Sequence, residues 1–121
     1  MANFSRGDTP TLIIHVKESQ LQLEDIVDVH VTLRARNFKL TKSGKDITVN
    51  PSENTLRVKL SEKETLKLQA GTVKEQERYT LKNGNVVSSS IKILKVEDIL
   101  YELEVGAEIE KEENKDDTVG H

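Results

Sequence analysis

The stretch Asp25-Ile26-Val27-Asp28-Val29-His30-Val31-Thr32-Leu33-Arg34-Ala35 decides the fold. Val27, Val29, Val31, Leu33 and Ala35 fall on one side of an extended chain, and Asp28, His30, Thr32 and Arg34 fall on the other. Strict alternation with β-branched residues predicts a strand with one face in a core and one in water. The same period recurs on either side. Leu12, Ile14 and Val16 form the inward set of a strand over Thr11 to Lys17, and Leu56, Val58 and Leu60 that of another, interleaved with Arg57 and Lys59. Ile47 and Val49 mark a short strand before the turn cluster Asn50-Pro51-Ser52-Glu53-Asn54.

One helix interrupts this pattern. Ser61-Glu62-Lys63-Glu64 reads as a capping box, in which the Ser61 hydroxyl and the Glu64 carboxylate satisfy amides at a helix start. The helix is expected to reach about Leu68, with Gly71 ending it. A hairpin follows, its arms Val73 to Leu81 and Val86 to Val96 joined through Lys82-Asn83-Gly84-Asn85. Asn-Gly between alternating runs is a strong hairpin signal. Asp98-Ile99-Leu100-Tyr101 fits either a turn of helix or a last strand. Several short strands joined by turns predict an antiparallel β-sandwich or a small barrel.

Composition sets the scale. The 121 residues suit one domain with one core, and 35% hydrophobic with 3% aromatic residues makes that core thin and aliphatic. No cysteine is present, which removes disulfides and thiolate metal sites and suits a reducing compartment. Met1 to Pro10 is polar and holds no secretory h-region, and no apolar run approaches the ~20 residues of a membrane helix. A soluble protein made in the cytosol is therefore expected. The net charge of −3 is uneven: Gly106 to His121 carries six acidic residues and two lysines. Residues 1–105 are read as a β-sandwich domain of nearly neutral charge, and 106–121 as a disordered acidic tail. A neutral body argues against nucleic-acid binding by counterion release.

No arrangement for catalysis emerges. His15 and His30 look out of strands and His121 ends the tail, with no metal-ligand spacing among them. Ser88-Ser89-Ser90 lacks a nucleophile elbow and a neighbouring base. Arg6-Gly7-Asp8 spells the cell-attachment tripeptide, but it stands at a strand entrance, where Gly7 gives a flexible entry and Asp8 can bond the backbone that follows. Phe4, Phe38, Tyr79 and Tyr101 are scattered, which weakens a carbohydrate-stacking role. The anomaly is Glu75 and Glu77, which share a face with Val73, Tyr79 and Leu81. A bulge, an edge position or a polar interface would each explain them, and side by side they would repel or hold a cation.

Three stretches together carry a family resemblance. They are Phe4-Ser5-Arg6-Gly7-Asp8-Thr9-Pro10-Thr11, Leu60-Ser61-Glu62-Lys63-Glu64-Thr65-Leu66-Lys67-Leu68, and Val73-Lys74-Glu75-Gln76-Glu77-Arg78 leading to Ser88-Ser89-Ser90-Ile91. The chain resembles small proteins encoded in phages and prophages of Gram-positive bacteria, often beside tail genes. It is also similar to the N-terminal domain of phage baseplate upper proteins. The likeness spans Phe4 to Val105. In the family pattern "RGDT", "LTQEETL" and "V-x-x-Q-x-R" precede an "S-N-I" strand; here Glu75 and Glu77 replace apolar residues and Ser90 replaces the Asn.

The resemblance implies an all-β, immunoglobulin-like antiparallel β-sandwich with one short helix. It implies a non-enzymatic tail or baseplate component, with no cofactor and no catalytic residue. Its partners would be phage structural proteins or further copies of itself, not nucleic acid or membrane. Its location would be the host cytoplasm during synthesis and then the virion tail region. Glu75, Gln76, Glu77 and Arg78 are the candidate interface. Gln76 and Arg78 either form a cross-strand pair on the sheet surface or dock a neighbouring subunit, with Arg78 as the anchor. The competing function class is a surface adhesion or carbohydrate-binding module.

Overall fold

The structure is a computed structural model and describes residues 3–16, 21–36 and 38–101. Lys17, the boundary at 105, the tail 106–121 and His121 lie outside the described residues. Among the described residues nine strands form two sheets: β1 (Asn3–Ser5), β2 (Thr11–His15), β3 (Ile26–Arg34), β4 (Lys39–Ser43), β5 (Ile47–Asn50), β6 (Thr55–Lys59), β7 (Gly71–Leu81), β8 (Val86–Ser88) and β9 (Lys92–Glu97). The larger sheet has the order β1-β9-β7-β3-β4, with β8 also paired to β7, and the smaller sheet is β2-β6-β5. All pairs are antiparallel except β1 with β9. This is an immunoglobulin-like sandwich, with the chain crossing between sheets four times: at Arg6–Pro10, between β2 and β3, at Gly44–Asp46, and around α1 (Glu62–Lys67).

The core is the aliphatic layer that period two predicts. Leu12, Ile14, Leu56 and Val58 of the small sheet meet Val29, Val31, Leu33, Val73, Leu94 and Val96 of the large one, all buried. Each such side chain contributes about 1.5–3 kcal/mol by leaving water. Val27 departs from the expectation. A bulge between Ile26 and Asp28 adds one residue to β3, turning Val27 outward to 60% exposure while Ile26 packs against the core. The alternation is broken there because the extra residue shifts every side chain before it to the other face.

The helix starts as read and ends differently. Ser61 Oγ accepts the Glu64 N–H at 3.1 Å and Glu64 Oε1 accepts the Ser61 N–H at 2.8 Å. Lys42 Nζ holds the same carboxylate at 2.9 Å. The helix stops at Lys67, and Leu68 is already extended, so Gly71 is not its terminator. Gly71, at φ +118°, instead opens β7.

The hairpin turn is closed by Gly84 N–H on the Leu81 carbonyl and Leu81 N–H on the Asn85 carbonyl, both at 2.9 Å. Gly84 has φ +88°, which suits the left-handed position of a three-residue loop. The second arm is not continuous: it breaks at Ser89–Ile91 into β8 and β9. Arg78 faces Ser88 whereas Glu75 faces Lys92, so one extra residue is accommodated in the break. Asp98–Tyr101 forms neither helix nor strand.

Candidate functional site: the two faces of strand β7

Strand β7 lies between β9 and β3, in the interior of the large sheet. An edge position therefore does not account for Glu75 and Glu77. Alternation sends Glu75 and Glu77 inward, where they are 3% and 0% exposed, and sends Gln76 and Arg78 to the outer face. The four residues do not make one surface.

The inner pair has a cation of its own. Lys92 enters beside them from β9, with Nζ 2.8 Å from Glu77 Oε1, 3.0 Å from Glu77 Oε2 and 3.9 Å from Glu75 Oε1. The Tyr79 hydroxyl donates to Glu77 Oε1 at 3.0 Å. Burial raises the Glu77 pKa, but hydrogen bonds from Glu75, Lys92 and Tyr79, together with the Lys92 charge, outweigh it and hold the carboxyl below its usual range. The cation that two adjacent glutamates demand is an ammonium from the same chain.

The main chain of Glu77 is held by Ser89. The Ser89 N–H donates to the Glu77 carbonyl at 2.9 Å, and Ser89 Oγ accepts the Glu77 N–H at 3.0 Å while donating to the Ser90 carbonyl at 2.9 Å. The triple serine is thus the hydrogen-bonding repair of a broken strand. On the outer face Gln76 Nε2 donates to the Ser89 carbonyl at 2.9 Å and Arg78 Nε to Ser88 Oγ at 3.3 Å. Arg78 reaches across to β8 and Gln76 to the break that follows it.

The rest of the outer face reads off the ladders. Thr41, Thr32 and Gln76 lie in one row, with Thr32 and Thr41 hydroxyls 3.0 Å apart, and Ser43, His30, Arg78 and Ser88 lie in the next. Val86, Ile91 and Ile93 stand exposed beside them, at 52%, 57% and 47%. His30 is exposed and its Nδ1 is 3.9 Å from Asp28 Oδ2; His15 is exposed on β2. Shallow clefts of about 370 and 230 Å³ run between these rows. Among the described residues no His, Asp and Glu converge in a group able to hold a metal ion. No helix among them is long and apolar enough to cross a membrane.

Arg6-Gly7-Asp8 forms the corner at which the chain changes sheet. Arg6 Nη2 and Nε donate to the carbonyls of Leu66 and Leu68 at 2.8 and 2.9 Å, and Nη1 meets Asp98 Oδ1 at 3.0 Å. Gly7, at φ +82°, lets the corner close against Leu66 and Ile99. Asp8 Oδ2 accepts the preceding Ser5 N–H at 2.9 Å, not the backbone that follows, and the Asp8 carbonyl accepts the buried Thr65 hydroxyl at 2.7 Å. Two of the stretches that carry the family resemblance therefore pack on each other. Sequence reasoning missed this contact because its partners are about sixty positions apart and the acceptors are carbonyls, which every residue has. Of the four aromatic residues, Phe4 and Tyr79 are buried, Phe38 is half-buried with Lys67 Nζ 5.9 Å from its ring centre, and Tyr101 is 54% exposed.

Neither a family model nor a curated protein matches the chain. Among solved structures, it is similar to a chain from Bacteroides vulgatus described as a candidate glycoside hydrolase, with 14% identity and a TM-score of 0.49. That likeness covers 83% of this chain and 17% of the other, so this chain spans about a sixth of that protein's length.

Proposed function

We propose that the protein is a non-catalytic docking module whose contact surface is the outer face of the large sheet, and that it serves as a phage or prophage tail or baseplate component. The observation that carries the docking reading is the strip of Val86, Ile91 and Ile93, exposed beside the Gln76 and Arg78 rows. Apolar side chains flanked by hydroxyls and a guanidinium form the usual anatomy of a protein contact. The phage setting is supported by the resemblance over Phe4 to Val105. Its motif residues Arg6, Gly7, Asp8 and Thr65 act together at one corner, which gives their co-occurrence a physical reason. Within this reading Arg78 keeps the anchor role, while Glu75 and Glu77 support the face from behind.

The test is co-assembly. The full chain is mixed with purified tail and baseplate proteins of phages of Gram-positive bacteria, and complexes are sized by light scattering after gel filtration. A defined complex or homo-oligomer is expected, lost in Ile93→Glu and Arg78→Glu and kept in Ile13→Glu, which changes an exposed residue of the small sheet. A strict monomer that binds none of these proteins would sink the proposal.

A further inference from the structure

Three cations stand side by side across the large sheet. Arg34 of β3 is directly opposite Lys39 of β4 on one side and Lys74 of β7 on the other, and all three are exposed. Ile93 continues the row on β9, opposite Lys74. Directly opposed side chains have Cβ atoms only ~4.5–5.5 Å apart, and like charges in that relation repel. Several cations elsewhere have carboxylate partners: Arg6 has Asp98, Lys42 has Glu64, Arg57 has Glu53 and Lys92 has Glu77. Among the described residues Arg34, Lys39 and Lys74 have none. Arg36, two residues on from Arg34, adds a fourth cation, and a cleft of about 500 Å³ is lined by Arg34, Arg36, Gly71, Thr72 and Lys74. A row of this kind asks for an anion.

The chain supplies one. Residues 102–121 hold eight acidic side chains against two lysines. Glu102, Glu104, Glu108 and Glu110 are all at even positions, so an extended segment would present them on one side, with Leu103, Val105 and Ile109 on the other. The described chain also ends at the right place. Val96 of β9 is paired with Gly71, and Arg6 ties Asp98 to the Leu66 and Leu68 carbonyls, just before the Gly71 and Thr72 that line the cleft. From β9 across β7 and β3 to β4 is ~14 Å at ordinary strand spacing. Six extended residues reach ~20 Å.

We propose that the acidic segment 102–121 docks in cis on the Lys39–Arg34–Lys74 row. The contact neutralises the row and covers the adjoining part of the outer face. It rests on charge and reach and is independent of whether that face also binds a tail protein.

The absence of cysteine allows a direct test in the full chain. Thr118→Cys carries a nitroxide, and amide signals are compared with those of the reduced, diamagnetic label. Arg34, Lys39, Lys74 and Ile93 are expected to lose intensity relative to Thr48 and Val49 of the small sheet. The loss should vanish in about 0.5 M salt, where the screening length falls to ~4 Å. It should also vanish in Lys39→Glu/Lys74→Glu. If that variant does not fold, Glu108→Lys/Glu110→Lys/Glu112→Lys asks the same question without touching the sandwich. Equal intensities on both sheets, or broadening that survives salt and charge reversal, would overturn the proposal. So would broadening seen only between a labelled copy and a separate isotope-enriched copy, since that is docking in trans.

Discussion

The hydroxyl of Ser89 takes the place of a main-chain carbonyl for Glu77, accepting its N–H at 3.0 Å where the second hairpin arm is broken. Ser89 is 4% exposed and Glu77 is fully buried, so without that hydroxyl the amide has no water to turn to. Ser89→Ala should destabilise the fold by about 1–3 kcal/mol, the cost of an unsatisfied buried donor. Urea unfolding of Ser89→Ala beside Ser90→Ala checks it. The exposed Ser90 gives only its carbonyl to this network, so its substitution should stay within about 0.5 kcal/mol.

Glu77 and Glu64 make stability depend on acid. Burial opposes ionisation of both, but Glu77 is held below the usual carboxylate range by Glu75, Lys92 and Tyr79, and Glu64 by Ser61 and Lys42. A depressed folded pKa means that the unfolded chain takes up protons first as pH falls. The stabilisation is complete above the ordinary value of 4.5 and is lost as pH drops through the folded values below it. Thermal midpoints should hold between pH 5 and 7 and fall below about pH 4.5. Glu77→Gln should flatten that fall, and a slope unchanged by this substitution would refute the assignment.

Removing the partner of Glu77 is a separate matter. Lys92→Ala leaves a buried carboxyl pair without its cation, and about 2–4 kcal/mol should be lost, somewhat below the cost at a fully buried pair because the Lys92 side chain is 27% exposed. Replacing Glu75, Glu77 and Lys92 together by Leu, Leu and Met should recover most of it, since apolar groups of similar volume replace buried ions at little cost. Chemical denaturation of the single and triple variants measures the difference.

How far the sequence showed these features depended on distance along the chain. Val29, Val31 and Leu33 declared β3 through their own spacing, and Ser61 with Glu64 declared the helix start, because both signals are local. Strand β4 gave no signal: Lys39-Leu40-Thr41-Lys42-Ser43 has one apolar residue, and only pairing with β3 makes it a strand. Strand β1 is three residues long and is held by parallel pairing to β9 at the other end of the chain. Glu75 and Glu77 were visible as an anomaly, yet their partner depends on the register shift at Ser89–Ile91 that brings Lys92 opposite Glu75. The interface expectation grouped four successive residues, which a strand necessarily divides between two faces.

Val27 tests the bulge directly. Val27→Thr should change stability by less than about 0.5 kcal/mol, as at an ordinary exposed site. Val29→Thr places a hydroxyl in the core and should cost about 1–3 kcal/mol. Equal costs at the two positions would mean that the alternation runs unbroken through Ile26–Asp28.

The Arg6-Gly7-Asp8 corner yields the last prediction. Two donors of one guanidinium hold the carbonyls of Leu66 and Leu68 in a fork that Lys cannot reproduce, and a third meets Asp98. Arg6→Lys should therefore cost nearly as much as Arg6→Ala, about 1–3 kcal/mol. Gly7→Ala should cost a similar amount for a different reason: its φ of +82° disfavours a side chain, and a Cβ would lie 3.2 Å from Ile99 Cδ1 and 3.3 Å from Leu66 Cδ2. If the tripeptide serves the corner and not a cell-surface receptor, these substitutions lower the unfolding midpoint. Cells bearing tripeptide-binding receptors should then adhere no better to the folded wild-type chain than to Asp8→Glu. Adhesion that depends on Asp8 while stability does not would reverse that assignment, because the Asp8 carboxylate is engaged with Ser5 in the folded corner.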